Sequence, residues 1–486
     1  MFPMYKKFVR HYLWTRMNAP AAKQFKRAML EPRETQERIL MDFLQRNQHT
    51  QFGKKYGYAS IKSVAEFRDR VPKQDYEDFE LPVEAIKKGQ SNVLSKDKTL
   101  FFETSSGSSG PVKYIPYNQC FLNEFRRSIS AWMYDLFTNR PELMKGTQYW
   151  SISPMLRTKQ YTEGNIPIGI TDDSEYLGRF SQRLIGPNLA MTSEAVSQLP
   201  LDDWQNKSIQ QLAGYRDLRF ISVWSPSFLI SLMQYLPKGM CPQDLWPDLK
   251  IISCWGDAAA KRFIPELKIL FPGIEIQFKG LMATEGVISI PLFEQPDPVI
   301  ALTSHFLEFV DDNDRCYLAD ELTVGGQYKV MLTSGNGLVR YALGDVVEVT
   351  APLCIQFKGR GDAMSDLCGE KLSERFVQSV FDKHLPDDSF FLLLPQWGET
   401  PGYSLYHQGI HDSELANKIE DALQESFHYN YCRQLGQLAP VQSRYCPDLP
   451  QRYYDACVRA GQRPGDVKPR ALVHSIDLAE RIAHEI

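Results

Sequence analysis

Paired cysteines are what this chain most lacks. Its nine cysteines (Cys120, Cys241, Cys254, Cys316, Cys354, Cys368, Cys432, Cys446 and Cys457) are scattered, odd in number and never spaced as C-x-x-C. That argues against a disulfide framework or a zinc site and fits a reducing, cytoplasmic setting. The nine histidines form no H-E-x-x-H or other ligand spacing. No apolar run approaches a transmembrane span, so no membrane partner is expected. Residues Met1 to Pro20 hold no apolar stretch ahead of a small-residue cleavage site. Their alternation of Tyr5, Phe8, Val9, Tyr12 and Leu13 with Lys6, Lys7 and Arg10 reads as one amphipathic helix, docked on its own domain or lying on a membrane surface. A net charge of −4 without a lysine-rich run leaves no field for nucleic acid, so any polyanion must be bound locally.

What is present is a soluble globular composition, 43% hydrophobic and 23% charged over 486 residues, long enough for two or three domains. The chain is organised around Thr104-Ser105-Ser106-Gly107-Ser108-Ser109-Gly110-Pro111-Val112-Lys113. Apolar runs flank it, Thr99–Phe102 before and Tyr114–Tyr117 after, predicting strand, loop and strand. Small residues let a backbone approach a polyanion with N–H and O–H donors, and Lys113 adds a positive charge. A serine-rich surface loop has the same composition. The Walker spacing G-x-x-x-x-G-K-[ST] is absent.

Upstream, the spacing of Ile39, Leu40, Phe43 and Leu44 predicts a helix over Arg33–Gln48. Ser63-Val64-Ala65-Glu66 reads as a capping box, and Pro82–Gly89 as a short helix with proline in its first turn. Asn118 is placed to cap a long helix with Phe121, Phe125, Ile129, Trp132, Met133 and Leu136 on one face. Strands at Arg219–Trp224, Leu249–Trp255 and Ile274–Lys279 then alternate with helices at Ser227–Leu236 and Asp257–Leu270, which implies a largely parallel sheet. From Gly286 to Phe357 the texture turns to short antiparallel strands, among them His305–Val310, Gln327–Thr333, Gly337–Tyr341 and Val346–Thr350. Lys358-Gly359-Arg360-Gly361-Asp362 is the expected boundary. A large N-terminal α/β domain (1–358), with a mostly parallel sheet plus antiparallel strands or a β-barrel, would precede a smaller C-terminal α+β domain (359–486). That second part would hold a helix at Ser373–Leu385, strands near Phe390–Leu394 and Tyr403–His407, and a helix at Ser413–His428.

Four further features follow the loop in order. Ala283-Thr284-Glu285-Gly286 puts a carboxylate at a strand's carboxyl end, where open α/β sheets bind ligands and where it could hold Mg²⁺. An exposed turn glutamate reads the same way. Arg340-Tyr341-Ala342-Leu343-Gly344-Asp345 places an acid able to accept from both ribose hydroxyls, or simply a turn aspartate. Gly359 to Leu372 reads as a charged linker, and Lys468 as a loop lysine in Lys468-Pro469-Arg470.

Taken together these residues resemble the auxin-responsive-promoter family of acyl-acid amido synthetases, a branch of the adenylate-forming, acyl-CoA ligase-like superfamily. The resemblance runs from Thr35-Gln36 and Asn47–Gly53 to Lys468, through Phe67-Arg68, Val71-Pro72, Tyr76-Glu77-Asp78, Ser105–Lys113, Phe306–Val310 and Gly337–Asp345. It implies a large N-terminal domain and a mobile C-terminal one with ATP between them. It gives Ser105, Ser106, Gly107, Ser108, Ser109 and Lys113 the ATP phosphates, and Thr284 and Glu285 contacts to AMP and Mg²⁺. Asp345 takes the ribose, with Arg360 near it, Asp362 is the hinge, and Lys468 looks like the catalytic lysine. Two positions depart: Ala342 replaces the arginine after the motif's tyrosine, and Leu281-Met282 replace a tyrosine able to stack on adenine.

The implied reaction is attack of a small carboxylic acid on the α-phosphorus of ATP, then transfer of the acyl group to an amine, expected to be an amino acid's, catalysed by positioning and charge neutralisation at Lys113, Glu285 and Lys468. Trp132, Trp224, Ser225 and Phe228 are candidates for the acid's pocket, with plain core packing as the default reading of each. Without a basic cluster there, the acid is expected to be apolar or aromatic. A thiol acceptor, making an acyl-CoA ligase, and a non-catalytic nucleotide-binding regulator remain as alternatives. The chain is expected to be a monomer or weak homo-oligomer.

Overall fold

The computed structural model describes residues 2–105, 113–150, 160–169, 178–191, 204–361, 364–398, 400–408, 414–434, 436–474 and 476–485. Its chain divides into two compact units: Met1–Ser197 with Asp217–Phe220 and Phe278–Phe357, and Gln198–Arg216 with Ile221–Gln277 and Lys358–Ile486. The last crossing between the units falls at Phe357–Lys358. The second unit, however, also takes in the strand–helix segment over 221–277 that sequence assigned to the N-terminal domain.

In the first unit the opening helix is longer than its amphipathic start, running Phe2–Leu30 through Pro20. It is a docked helix: its wholly buried His11 stacks on Phe137 at 5.4 Å, and Trp14 meets the same ring edge-on at 5.7 Å. Phe137 belongs to the helix Gln119–Asn139, whose first turn is capped by Asn118 accepting the Phe121 amide at 2.9 Å. That cap was legible because it is local. Ser63 likewise caps Val64–Arg70, accepting the Glu66 amide at 3.2 Å. The helix expected at Pro82–Gly89 instead spans Glu77–Lys87, with Pro82 inside it. Glu77, Asp78 and Glu80 fill its first turn, where the helix dipole favours acids.

The antiparallel texture resolves into a seven-stranded sheet in the order Ser289–Ile290, Val299–Ile300, Cys354–Arg360, Tyr341–Ala351, Gln327–Thr333, Phe306–Val310, Cys316–Tyr317. Phe306, Leu307, Val330, Leu332, Val347 and Val349 bury one core with Leu40, Phe43, Phe67 and Phe79 of the preceding helices. Gln36 ties the second helix to it, donating to the Leu302 and His305 carbonyls at 2.9 Å and accepting the Leu307 amide at 2.7 Å. Gly337–Tyr341 is not a strand of its own. Gly337, at φ 99°, closes a turn in which the Ser334 amide reaches the Leu338 carbonyl, and a single strand then runs from Tyr341 to Ala351.

In the second unit the alternation appears as expected. The Val223 amide donates to Ser253 and that of Glu275 to Lys250, aligning the segments that surround the helix Pro226–Met233. Asp257–Leu270 begins as a 3-10 turn (Ala258–Phe263) and becomes α-helical only at Ile264. Farther on, Phe391–Gln396 pairs antiparallel with Gly402–His407, which pairs parallel with Gln442–Tyr445. The helices Glu374–His384 and Leu415–Leu423 pack on these strands through Val377, Phe381, Ile419 and Leu423. The long helix expected over Ser413–His428 is two, Leu415–Leu423 and Phe427–Gln434.

Candidate functional site

The organising stretch is a β-hairpin. Thr99–Ser105 and Lys113–Asn118 run antiparallel, and Ser105 pairs with Lys113 where the two strands meet residues 106–112. Ser106, Gly107, Ser108 and Ser109 lie outside the described residues. The strand that leaves the loop is held at its start by Tyr76, whose hydroxyl accepts the Tyr114 amide at 2.6 Å. Burial pushes this phenol up to about 12, so it stays protonated. The Lys113 ammonium sits over the Tyr76 ring, 5.5 Å from its centroid.

Thr284 and Glu285 form the two-residue turn of a second hairpin, in which Ala283 faces Gly286 and Met282 faces Val287. Glu285 is therefore not the exposed turn glutamate that its sequence also allowed: it is 8% exposed. Two tyrosines from elsewhere hold the turn. Tyr117, on the strand that leaves the serine loop, donates to the Thr284 carbonyl at 2.6 Å. Tyr341 donates to Oε1 of Glu285 at 3.5 Å.

Asp345 lies on the strand that Tyr341 begins. Lys329 pairs with Val346 but Met331 with Ala342, so the strand bulges between them, and Gly344 sits in the bulge at φ 77°. A side chain would be strained there, and the bulge re-aims the backbone next to Asp345. Arg340 does not stand in for the arginine missing at Ala342. Its buried guanidinium meets Glu308 at 3.0 Å and the Val71 carbonyl at 2.7 Å, and Arg68 meets the same carboxylate at 2.9 Å. The serine-loop hairpin, the Glu285 turn and the Asp345 strand are thus joined inside the first unit.

In the second unit, Lys468 is exposed, with its ammonium 5.3 Å from the Trp255 ring centroid. Trp255 leans on Trp224 at 5.7 Å, and its amide donates to the Trp224 carbonyl. Tyr453 fixes the lysine's backbone, donating to its carbonyl at 2.7 Å. Burial raises the Glu374 carboxyl, against the opposing charges of Arg470, Arg360 and Lys468, so Arg360 and Lys468 share one electrostatic neighbourhood. Asp362 lies outside the described residues. Phe228 and Ser225 are wholly buried, and Ser225 bonds Ser227 at 2.6 Å, as core residues do. Trp132, 4% exposed, lies in the first unit with the buried Lys279 ammonium 5.9 Å from its ring. Sequence reading passed over Trp255, although an aromatic residue directly after the buried strand Ile251–Cys254 was a usable signal. It also passed over Tyr117, His305 and Glu124, whose partners are remote in sequence.

No group of three or more His, Cys, Asp or Glu among the described residues could hold a metal by itself. A magnesium ion carried by nucleotide phosphates needs only one or two carboxylates, and Glu285 fits that donor set. No helix among the described residues is long and apolar enough to cross a membrane.

Residues 21–242 match the model of the GH3 family N-terminal domain, and residues 298–360 that of the GH3 family central domain. A probable indole-3-acetic acid-amido synthetase of Oryza sativa subsp. japonica is 23% identical, the match covering 72% of this chain and 69% of the relative. An Arabidopsis thaliana indole-3-acetic acid-amido synthetase is also 23% identical, over 66% of this chain and 71% of its own. Among solved structures, the GH3.15 acyl acid amido synthetase in complex with 2,4-DB superposes with a TM-score of 0.79 at 16% identity, covering 96% of both chains. A 2-hydroxyisobutyryl-CoA ligase in its postadenylation state gives 0.57 at 12% identity, over 94% of this chain and 91% of its own.

Proposed function

The chain belongs to the GH3 family, and we propose that it is an ATP-dependent acyl acid amido synthetase. A carboxylate attacks the α-phosphorus of ATP, forming an acyl-adenylate and releasing pyrophosphate. An amine, that of an amino acid, then attacks the activated carbonyl, forming an amide and releasing AMP. The observation that carries this reading is the joining of three motif-bearing strands by Tyr117 on Thr284 and Tyr341 on Glu285.

In this reading the chain supplies no nucleophile; it binds, orients and neutralises charge. Ser105, Ser106, Gly107, Ser108, Ser109 and Lys113 take the phosphates, Thr284 and Asp345 the AMP portion, with Arg360 near the ribose and Asp362 as hinge. Glu285 would hold Mg²⁺, which when bound neutralises charge on the phosphates. Lys468 acts as the catalytic lysine. Trp132 and Trp224 are assigned to the acid, Trp224 now with Trp255 beside it. Two half-buried indole rings suit a flat, apolar or aromatic acid. A cytoplasmic setting accords with described cysteines that are all free thiols.

The test is a hydroxylamine-trapping screen with ATP, Mg²⁺ and a panel of carboxylic acids. Hydroxamate is expected with small apolar or aromatic acids. Turnover of only highly charged or long-chain acids would refute the substrate class. AMP release stimulated by coenzyme A and not by amines would overturn the acceptor.

A further inference from the structure

The turn that carries Glu285 stands on a buried histidine. His305 is wholly buried, and its Nε2 accepts the Val287 amide at 3.2 Å. An amide can only donate, so Nε2 keeps its lone pair and the ring proton sits on Nδ1. Nδ1 then donates to Oε2 of Glu124 at 3.0 Å, and the same oxygen accepts the Gly335 amide at 2.7 Å. Phe121, one helical turn before Glu124, stacks on the imidazole with centroids 5.4 Å apart and planes at 21°. Gln36 holds the His305 carbonyl. Tautomer, ring plane and backbone are each set by a different neighbour.

The imidazole also dictates what can follow Glu285. A Cβ at residue 286 would lie 2.8 Å from Nε2, so only glycine lets the turn settle onto the ring. Tyr117 grips the turn before Glu285 and His305 grips it after. A buried ring was not needed merely to fill space, since an apolar side chain would do that without desolvating polar atoms.

We propose that His305, oriented by Glu124, is a positioning residue for adenylation: it fixes the backbone that sets the direction of the Glu285 carboxylate. The proposal rests on the role given to Glu285 above. His305 need not touch the nucleotide. Its effect passes through the Val287 amide.

Four variants of the full chain test it: His305→Leu, His305→Gln, Glu124→Gln and Glu285→Ala. Each is assayed by ATP–pyrophosphate exchange at varied ATP and Mg²⁺, by calorimetric binding of ATP in the absence of acid, and by thermal melting. His305→Leu removes the acceptor and is expected to lower kcat about 10- to 100-fold, the scale of groups that orient a metal-binding residue. It should also raise the Mg²⁺ concentration needed for half-maximal exchange and weaken calorimetric ATP binding. His305→Gln, whose amide oxygen can accept from Val287, should reverse most of all three effects. Glu124→Gln should fall between Gln and Leu at 305. Should His305→Leu fail to fold, Gly286→Ala presses on the same ring from the other side and is expected to give the same loss of kcat.

Parental kcat and Mg²⁺ dependence in folded His305→Leu would overturn the proposal. So would losses in Leu and Gln that are equal and track melting temperature alone. Parental exchange in Glu285→Ala would remove the reading beneath it, and the proposal with it. An inactive Glu285→Ala beside normal His305 variants would sink the positioning role alone.

Discussion

Glu285 and Lys468 are the two charged groups on which the proposed chemistry leans most, and the fold treats them in opposite ways. Glu285 is buried in a two-residue turn gripped by Tyr117 and Tyr341 and seated on His305. Lys468 is exposed on a loop, its ammonium over the Trp255 ring and its carbonyl accepting from Tyr453. A group that must hold phosphate charge still benefits from a site that cannot reorganise. A lysine that acts in one step and must leave before the next benefits from weak attachment. The difference teaches where stability and activity should separate under mutation.

The largest expected effect lies beneath the Glu285 region. Arg340→Met leaves Glu308 buried with half its partners, and breaking such a pair costs about 3–5 kcal/mol, readable by urea unfolding. Glu285→Ala should lower ATP–pyrophosphate exchange by about 10²–10³-fold, the usual loss when one preorganised charge-stabilising group is removed. A parental rate would break the comparison at its buried end.

A pH effect follows from His11, which burial pushes from 6.5 down to about 4, only partly opposed by its hydrogen bond to the Gly146 backbone. Between these values the unfolded chain binds the proton that the folded one refuses. The stability contribution is therefore full above about pH 6.5 and lost as pH falls to about 4, with a slope of up to about 1.4 kcal/mol per pH unit. Urea titrations of the parent and His11→Gln should diverge in that window and run parallel above it. Asp345→Ala should raise the KM for ATP roughly 10-fold or more, the value of hydrogen bonds to a charged group at about 1.5–3 kcal/mol. The smallest effect belongs to the exposed end. Lys468→Ala should change unfolding free energy by no more than about 0.5 kcal/mol while lowering exchange. A large stability loss would show that this exposed lysine carries structural weight of its own.

Much of this was legible where the signal is local. The Asn118 and Ser63 caps need only three residues, and the strand–loop–strand around Ser105–Lys113 follows from flanking apolar runs. What was not legible depends on pairing. The bulge at Gly344 exists only because Lys329 and Met331 set the register of the neighbouring strand. Sequence therefore placed strands at Gly337–Tyr341 and Val346–Thr350 where one strand runs Tyr341–Ala351. The His305–Glu124 pair spans 181 positions, and neither residue lies in a recognisable motif. The acids at 285 and 345 could be singled out from spacing; the groups that aim them could not. For Glu285 the ambiguity between exposed turn and buried ligand was resolved only by Tyr117 and Tyr341 arriving from other strands.

Oxygen bookkeeping tests the central claim most directly. For whichever acid the trapping screen selects, its carboxylate is labelled with ¹⁸O and the reaction run to completion with an amino acid. Adenylation predicts one ¹⁸O in the phosphate of AMP, left there when the amine displaces it. Label in inorganic phosphate beside ADP, or AMP free of label, would contradict it.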